Sequence, residues 1–239
     1  MNVEINGPQV LGYLFGNPNL PITETMRNAW IVMAFILFLC IFLTRRMEKI
    51  PKGKQALAEK AVIMIDNLVD STMGQGCRAF SPYIATLLMS SLFGSLASLF
   101  WLRPGTADLN TTMGWAIMTF ILITYNKIRY GGIGGYVKSF FEPIFVMAPL
   151  NLLSEVATPV SMSFRHFGNM AGGLVISTLM MGALEVLSNA ILGFLPVPLL
   201  QIGIPGVLSL YFDCFTACMQ AFIFSMLTMA YVGDARGSS

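Results

Sequence analysis

The chain has 239 residues, with 14 Lys and Arg against 12 Asp and Glu for a formal net charge of +2. Hydrophobic residues make up 55% and charged residues 11%, with a mean hydropathy of +0.70, whereas soluble domains carry roughly 25% charged residues. So few charges cannot cover a soluble surface, and the near-neutral balance argues against a nucleic-acid partner, which leaves a polytopic membrane protein with an all-α fold.

Residues 1–26 are polar and turn-rich (Gly7-Pro8, Asn17-Pro18, Leu20-Pro21). They lack the basic start and apolar stretch of a signal peptide, so the first span is expected to do the targeting. Residues 27–239 are expected to form one membrane domain. Its first span runs over about Asn28–Thr44 and is followed by Arg45, Arg46, Lys49, Lys52, Lys54 and Lys60. Leu57, Ala61, Met64, Ile65, Leu68 and Val69 then recur at helical spacing. That pattern predicts an amphipathic helix over about 55–73, lying at the membrane surface or packed on a neighbour.

A second span is predicted over about Pro82–Leu102 and a third over about Thr111–Asn126, joined by a link holding Arg103, Pro104, Gly105 and Asp108. Lys127, Arg129, Gly131 to Gly135 and Lys138 read as a basic, flexible loop. The stretch from Pro149 to about Leu195 is longer than a perpendicular span needs, so it must be tilted, broken or laid along the membrane. An uncharged link with Pro196, Pro198 and Pro205 leads to a last span over about Gly206–Val232. No internal repeat is visible.

Five spans put the termini on opposite sides. Segments 45–78 and 127–138 and the tail after 232 hold eleven of the 14 Lys and Arg. The positive-inside rule therefore places the N-terminus outside and the C-terminus in the cytoplasm. The basic cluster at 45–60 reads as a topology determinant that meets lipid headgroups.

Charges within spans cost about 2.5–3.5 kcal/mol each on insertion scales, so each needs a reason. The fourth span holds Glu155, Arg165 and His166, and the fifth holds Asp213 and Gln220. Arginine cannot shed its proton to lower the cost. At about 100° per residue, Ser154, Thr158, Ser161, Gly168, Asn169, Gly172 and Ile176 all lie within about 60° of Arg165. A face this small and polar fits ordinary close helix packing. It also fits a partner that presents a carboxylate to Arg165. Asp213, Gln220 and Tyr231 share a face of the last span, and Glu155 lies about 15 Å to the cytoplasmic side of Arg165. One acid on each side of a fixed cation is the layout of two offset hydrophilic half-channels.

These residues carry a resemblance. The runs Pro149-Leu150-Asn151-Leu152-Leu153-Ser154-Glu155, Thr158-Pro159-Val160-Ser161-Met162-Ser163-Phe164-Arg165-His166-Phe167-Gly168-Asn169-Met170 and Met219-Gln220-Ala221-Phe222-Ile223-Phe224 resemble the signature of ATP synthase subunit a. The similarity covers about 110–232; the proximal half matches in topology. It implies ion translocation by the helix pair over about 149–232, with Arg165 the essential arginine and Glu155, Asn169, Asp213 and Gln220 beside it. It further implies rotor-facing small residues at Gly168 and Gly172, and accessory roles for His166, Ser161 and Tyr231. A c-subunit ring, peripheral-stalk b subunits, the other synthase subunits, the lipid bilayer and a translocated H⁺ or Na⁺ are the implied partners. The place implied is the bacterial cell (inner) membrane. No cofactor, metal or catalytic residue is expected, because the ATP chemistry belongs to other subunits and no Walker loop is present.

The chain departs from the family pattern at particular positions. Leu174 stands where many members carry an ionisable residue, so an outer access route would lean on Asp213. His166 replaces a common Leu, as a packing or hydrogen-bonding residue or as a proton relay. Thr158 stands where a basic residue is frequent. Cys214 and Cys218, at i,i+4, read as small buried thiols, since no His or second Cys pair accompanies them to hold a metal. A stand-alone ion-coupled transporter is the alternative, though it usually shows two related halves. An intramembrane protease lacks its constellation of residues here.

Overall fold

A computed structural model describes residues 9–13, 21–45, 47–100, 102–141, 145–192 and 210–237. The Pro-rich link with Pro196, Pro198 and Pro205, and the expected start of the last span at 206–209, lie outside the described residues. Two short strands, β1 (Val10–Tyr13) and β2 (Pro21–Thr23), pair antiparallel with a bulge between Val10 and Gly12. The polar composition of 1–26 gave no sign of this pairing. Six helices follow: α1 (Glu24–Thr44), α2 (Lys54–Met73), α3 (Ser81–Leu96), α4 (Leu109–Phe141), α5 (Ala148–Leu192) and α6 (Thr216–Ala235).

Two of the helices start for local reasons. The Thr23 hydroxyl accepts the Met26 N–H at 3.4 Å, satisfying one of the free donors at the head of α1. Pro82 sits in the first turn of α3, where its missing N–H costs nothing. Four helical stretches among the described residues are long and apolar enough to cross a membrane: Glu24–Thr44, Arg78–Phe100, Phe145–Ser188 and Thr216–Ala235. The third expected span falls in α4, which is more polar. Its Thr112, Thr119 and Asn126 are buried against neighbouring helices.

The core is organised around α6. Its buried residues Ala217, Gln220, Ala221, Phe224, Ser225, Thr228, Met229, Val232 and Gly233 recur at the helical period. Met229 and Val232 pack with Val69 and Met73 of α2, Ile84 of α3 and Ile123 of α4. Phe224 packs with Leu87 of α3 and Met162 of α5. On α2, Ile65, Leu68 and Val69 belong to this core, but Leu57 and Met64 of the same predicted stripe are 65% and 67% exposed. The distal half of that helix therefore enters the apolar core, while its proximal end is held by buried Gln55, bonded to Glu48, and by Lys54 over the Phe42 ring.

By contrast, α1 buries only Thr25 and Asn28. Thr25 donates to Asp108 Oδ2 at 2.8 Å, and the Asn28 amide donates to the Arg103 carbonyl at 3.0 Å. These two bonds tie its N-terminal end to the α3–α4 link.

One feature revises the expectations and a second narrows them. The segment expected as a flexible loop after the third span is helical, and α4 continues through it with a kink at Gly132, φ 70° and ψ 162°. Glycine alone takes that φ without steric cost, so two helical segments meet at a bend there. The long fourth stretch is one helix of 45 residues that runs through Pro159. At 1.5 Å per residue it is about 67 Å long, over twice the ~30 Å hydrocarbon layer.

Candidate functional site

Arg165 lies exposed on α5, and among the described residues no side chain pairs with it. Ser161, Phe164, Gly168 and Asn169 beside it are exposed as well. A Cβ built at Gly168 or Gly172 would meet nothing within 4 Å. Among the described residues, the small-residue face read from the helical wheel is thus open ground at Gly168 and Gly172.

One side of that face is fixed by α6. The Asn169 amide donates to Gln220 Oε1 at 2.6 Å, joining two residues that lie 51 apart in sequence. Gln220 is 2% exposed, so Asn169 gives a buried carbonyl its partner and remains at the edge of the arginine face.

His166 points away from Arg165. It is fully buried, with Nε2 3.3 Å from the Ser91 hydroxyl and its ring edge-to-face with Trp115 and Phe224. Its Nδ1 has no partner among the described residues. The surroundings are those of a packed, hydrogen-bonded histidine. Thr112 and Ser163 add a second buried hydroxyl contact at 3.2 Å between α4 and α5.

Glu155 occupies the other end of the site, where the basic residues cluster. Lys127 Nζ donates to both of its oxygens, at 2.8 and 2.7 Å, and the Tyr136 hydroxyl lies 3.5 Å from one of them. Burial first, and the Glu155 carboxylate second, push the Tyr136 phenol up from its ordinary value, so it remains a donor at neutral pH. A cleft of about 530 Å³ opens beside this group, and a smaller cavity of about 250 Å³ lies next to it. Tyr231 lines the smaller cavity together with Thr158 and Asp234.

Asp213 lies in a π-helical turn, Leu210–Phe215, at the head of α6. The seven-residue argument that put Asp213 and Gln220 on one face assumed α geometry throughout, and this turn interrupts it. Thus the structure unites Asn169, one turn from Arg165, with Gln220 and brings Tyr231 to the cavity beside Glu155. Lys127, Tyr136, Asp234 and Ser91 were missed by the sequence reading. The only signal for Lys127 was its basic character, which was credited to topology. Among the described residues no group of three or more His, Cys, Asp or Glu side chains is placed to hold a metal ion.

Long apolar helices around a sparse polar interior define an all-α, multi-pass membrane protein. The family model described as ATP synthase A chain matches residues 26–233, and the chain belongs to that family. It is 34% identical over 235 residues to the sodium ion specific ATP synthase subunit a of Propionigenium modestum, covering 92% of this chain and 76% of that one. It is 32% identical to ATP synthase subunit a of Moorella thermoacetica, with 90% of this chain and 91% of that one covered. Against ATP synthase subunit a 2 of Bradyrhizobium sp. the identity is 31%, over 98% and 97% of the two chains. Family membership makes the chain an ion-channel subunit in the membrane sector of an ATP synthase, one component among the other subunits of that complex.

Proposed function

We propose that this chain supplies two offset half-channels, separated by Arg165, that pass H⁺ or Na⁺ to and from the carboxylates of a c-subunit ring. The observation that carries this reading is that, among the described residues, Arg165 has no side-chain partner and its face, with glycine at 168 and 172, is uncovered. An unpaired arginine within a span is costly unless something comes to meet it. A passing rotor carboxylate is that partner, and two glycines leave room for its helix.

An ion enters from outside and neutralises a rotor carboxylate, which then turns through lipid. At the second half-channel Arg165 favours the ionised form, and the ion leaves to the cytoplasm. The same fixed charge blocks a direct leak between the two routes. Glu155, Thr158, Tyr231 and Asp234 stand along the inner route; Asp213 serves the outer one. Asn169 and Gln220 hold the arginine face in register, and Ser161 and His166 support it. In this arrangement the chain sits in the bacterial inner membrane with its N-terminus outside, α2 at the cytoplasmic surface, and peripheral-stalk b subunits beside it. ATP is made elsewhere in the complex, and the chain itself carries no catalytic group.

Ring contact is tested with one cysteine at Gly172 and one beside the c-subunit carboxylate. Oxidation should join them and stop ATP-driven pumping, and reduction should restore it. Failure to join from any ring position would place the rotor on another face. The two routes separate by a second measurement: Asp213→Asn should slow gradient-driven synthesis more than Glu155→Gln when outside pH is varied. Equal responses would undo the assignment of Asp213 to the outer route.

A further inference from the structure

The two cavities at the basic end of the bundle share Lys127, Ser154, Glu155, Asp234 and Ala235 as walls. The larger extends past Tyr130 and Tyr136, and the smaller runs deeper, past Phe120 and Thr158. The Lys127–Glu155 ion pair stands at the neck between them. Lys127 occupies both carboxylate oxygens, at 2.8 and 2.7 Å. It thus takes the position that a free cation on Glu155 would take.

The backbone is arranged to make this contact from two directions. In an unbroken helix Lys127 and Tyr136, nine residues apart, would lie about 14 Å apart along the axis and on opposite faces. Both reach Glu155 because α4 turns at Gly132, between them, with φ 70°. The turn therefore closes α4 around one carboxylate. The other ionisable groups facing the neck are Tyr231 and Asp234 of α6, with Arg236 on the wall of the larger cleft.

We infer that Lys127 is a tethered cation that gates the neck between the two cavities, held on Glu155 by the Gly132 bend, and that it must leave Glu155 before an ion passes. This deepens the proposed function and rests on Glu155 standing in the inner ion route. Lys127 is a positioning residue here, acting on the traffic past Glu155 through its charge.

The test uses the intact complex in membrane vesicles of both orientations, in a chain whose four natural cysteines are replaced and Phe120→Cys is introduced as a marker in the deeper cavity. Labelling rates are compared for a trimethylammonium-bearing thiol reagent and a neutral methyl one. Lys127→Met nearly preserves the volume of the side chain and removes its charge. It should speed the cationic reagent by about tenfold or more, since a repelling charge is lost and the carboxylate is bared, and leave the neutral reagent nearly unchanged. Lys127→Arg should keep the native rates, and Lys127→Gln gives the same readout as Met if that chain fails to assemble. Equal acceleration of both reagents would reduce Lys127 to a plug of matter, and no acceleration of either would remove the gate altogether. Gradient-driven synthesis by a Glu155→Gln chain, followed as the pH on the cytoplasmic side is varied, tests the underlying reading separately, so the two can fail independently.

Discussion

In vesicles carrying Arg165→Ala, gradient-driven ATP synthesis should fall at least about a hundredfold, the scale on which losing one dedicated electrostatic group acts. Hydrolysis of ATP by the peripheral subunits should persist, and passive ion leak through the membrane sector should rise. Arg165 is exposed, and no described side chain neutralises it. Without it, nothing favours the ionised rotor carboxylate at the point of exit, and nothing keeps the two water-facing routes electrically apart. Each elementary charge moved across 100 mV carries about 2.3 kcal/mol, so even a modest leak dissipates the drive for synthesis. Arg165→Lys should recover only part of the activity, because an ammonium lacks the planar, delocalised charge of the guanidinium. Synthesis rates and dye-reported leak in the same vesicles check both claims. Unchanged synthesis in the alanine chain would mean that a group other than Arg165 meets the rotor carboxylate.

A second large effect is expected far from the arginine. Gly233 near the end of α6 lies so close to α2 that an added Cβ would stand 3.3 Å from Met73 Cα and 3.7 Å from the Thr72 carbonyl oxygen. The nearest obstacle is backbone and cannot swing aside. Gly233→Leu should destabilise the packed chain by about 1–3 kcal/mol, the usual cost of overfilling a close-packed contact. Gly233→Ala should cost less, since a shift of a few tenths of an ångström accommodates one methyl group. Thermal unfolding of the solubilised complex, compared across Gly, Ala and Leu at this position, gives the ranking. An unchanged midpoint for Leu would mean that α2 and α6 separate readily.

Hydropathy and helical period made much of this arrangement legible. An uncharged run such as Asn28–Thr44 admits little besides a spanning helix. The arginine face was equally legible, because a wheel needs only spacing within one helix.

Contacts between distant segments were not. The Lys127–Glu155 pair joins residues 28 apart, and nothing local to either one announces the other. The bend that permits it depends on which of several neighbouring glycines takes a positive φ, and nothing in the sequence marks out Gly132, which does. Asp213 shows a different limit, since a wheel built on α geometry loses its register across a π turn. His166 was ambiguous in sequence because burial, the Ser91 hydroxyl and two flanking rings all come from other helices.

The tie between α1 and the α3–α4 link bears on how the chain is made. Thr25 and Asp108, which close it, are 83 residues apart. At about 5–20 residues per second of synthesis, their joining waits several seconds after the first helix has emerged. During that interval α1 stands in lipid without its partners. Its 21 residues suit the wait, carrying charge only at Glu24 and Arg27 in the first turn and an otherwise apolar surface down to Thr44. Anchorage comes first and docking second: the helix that fixes the chain in the bilayer is also the one least dependent on the rest of the bundle.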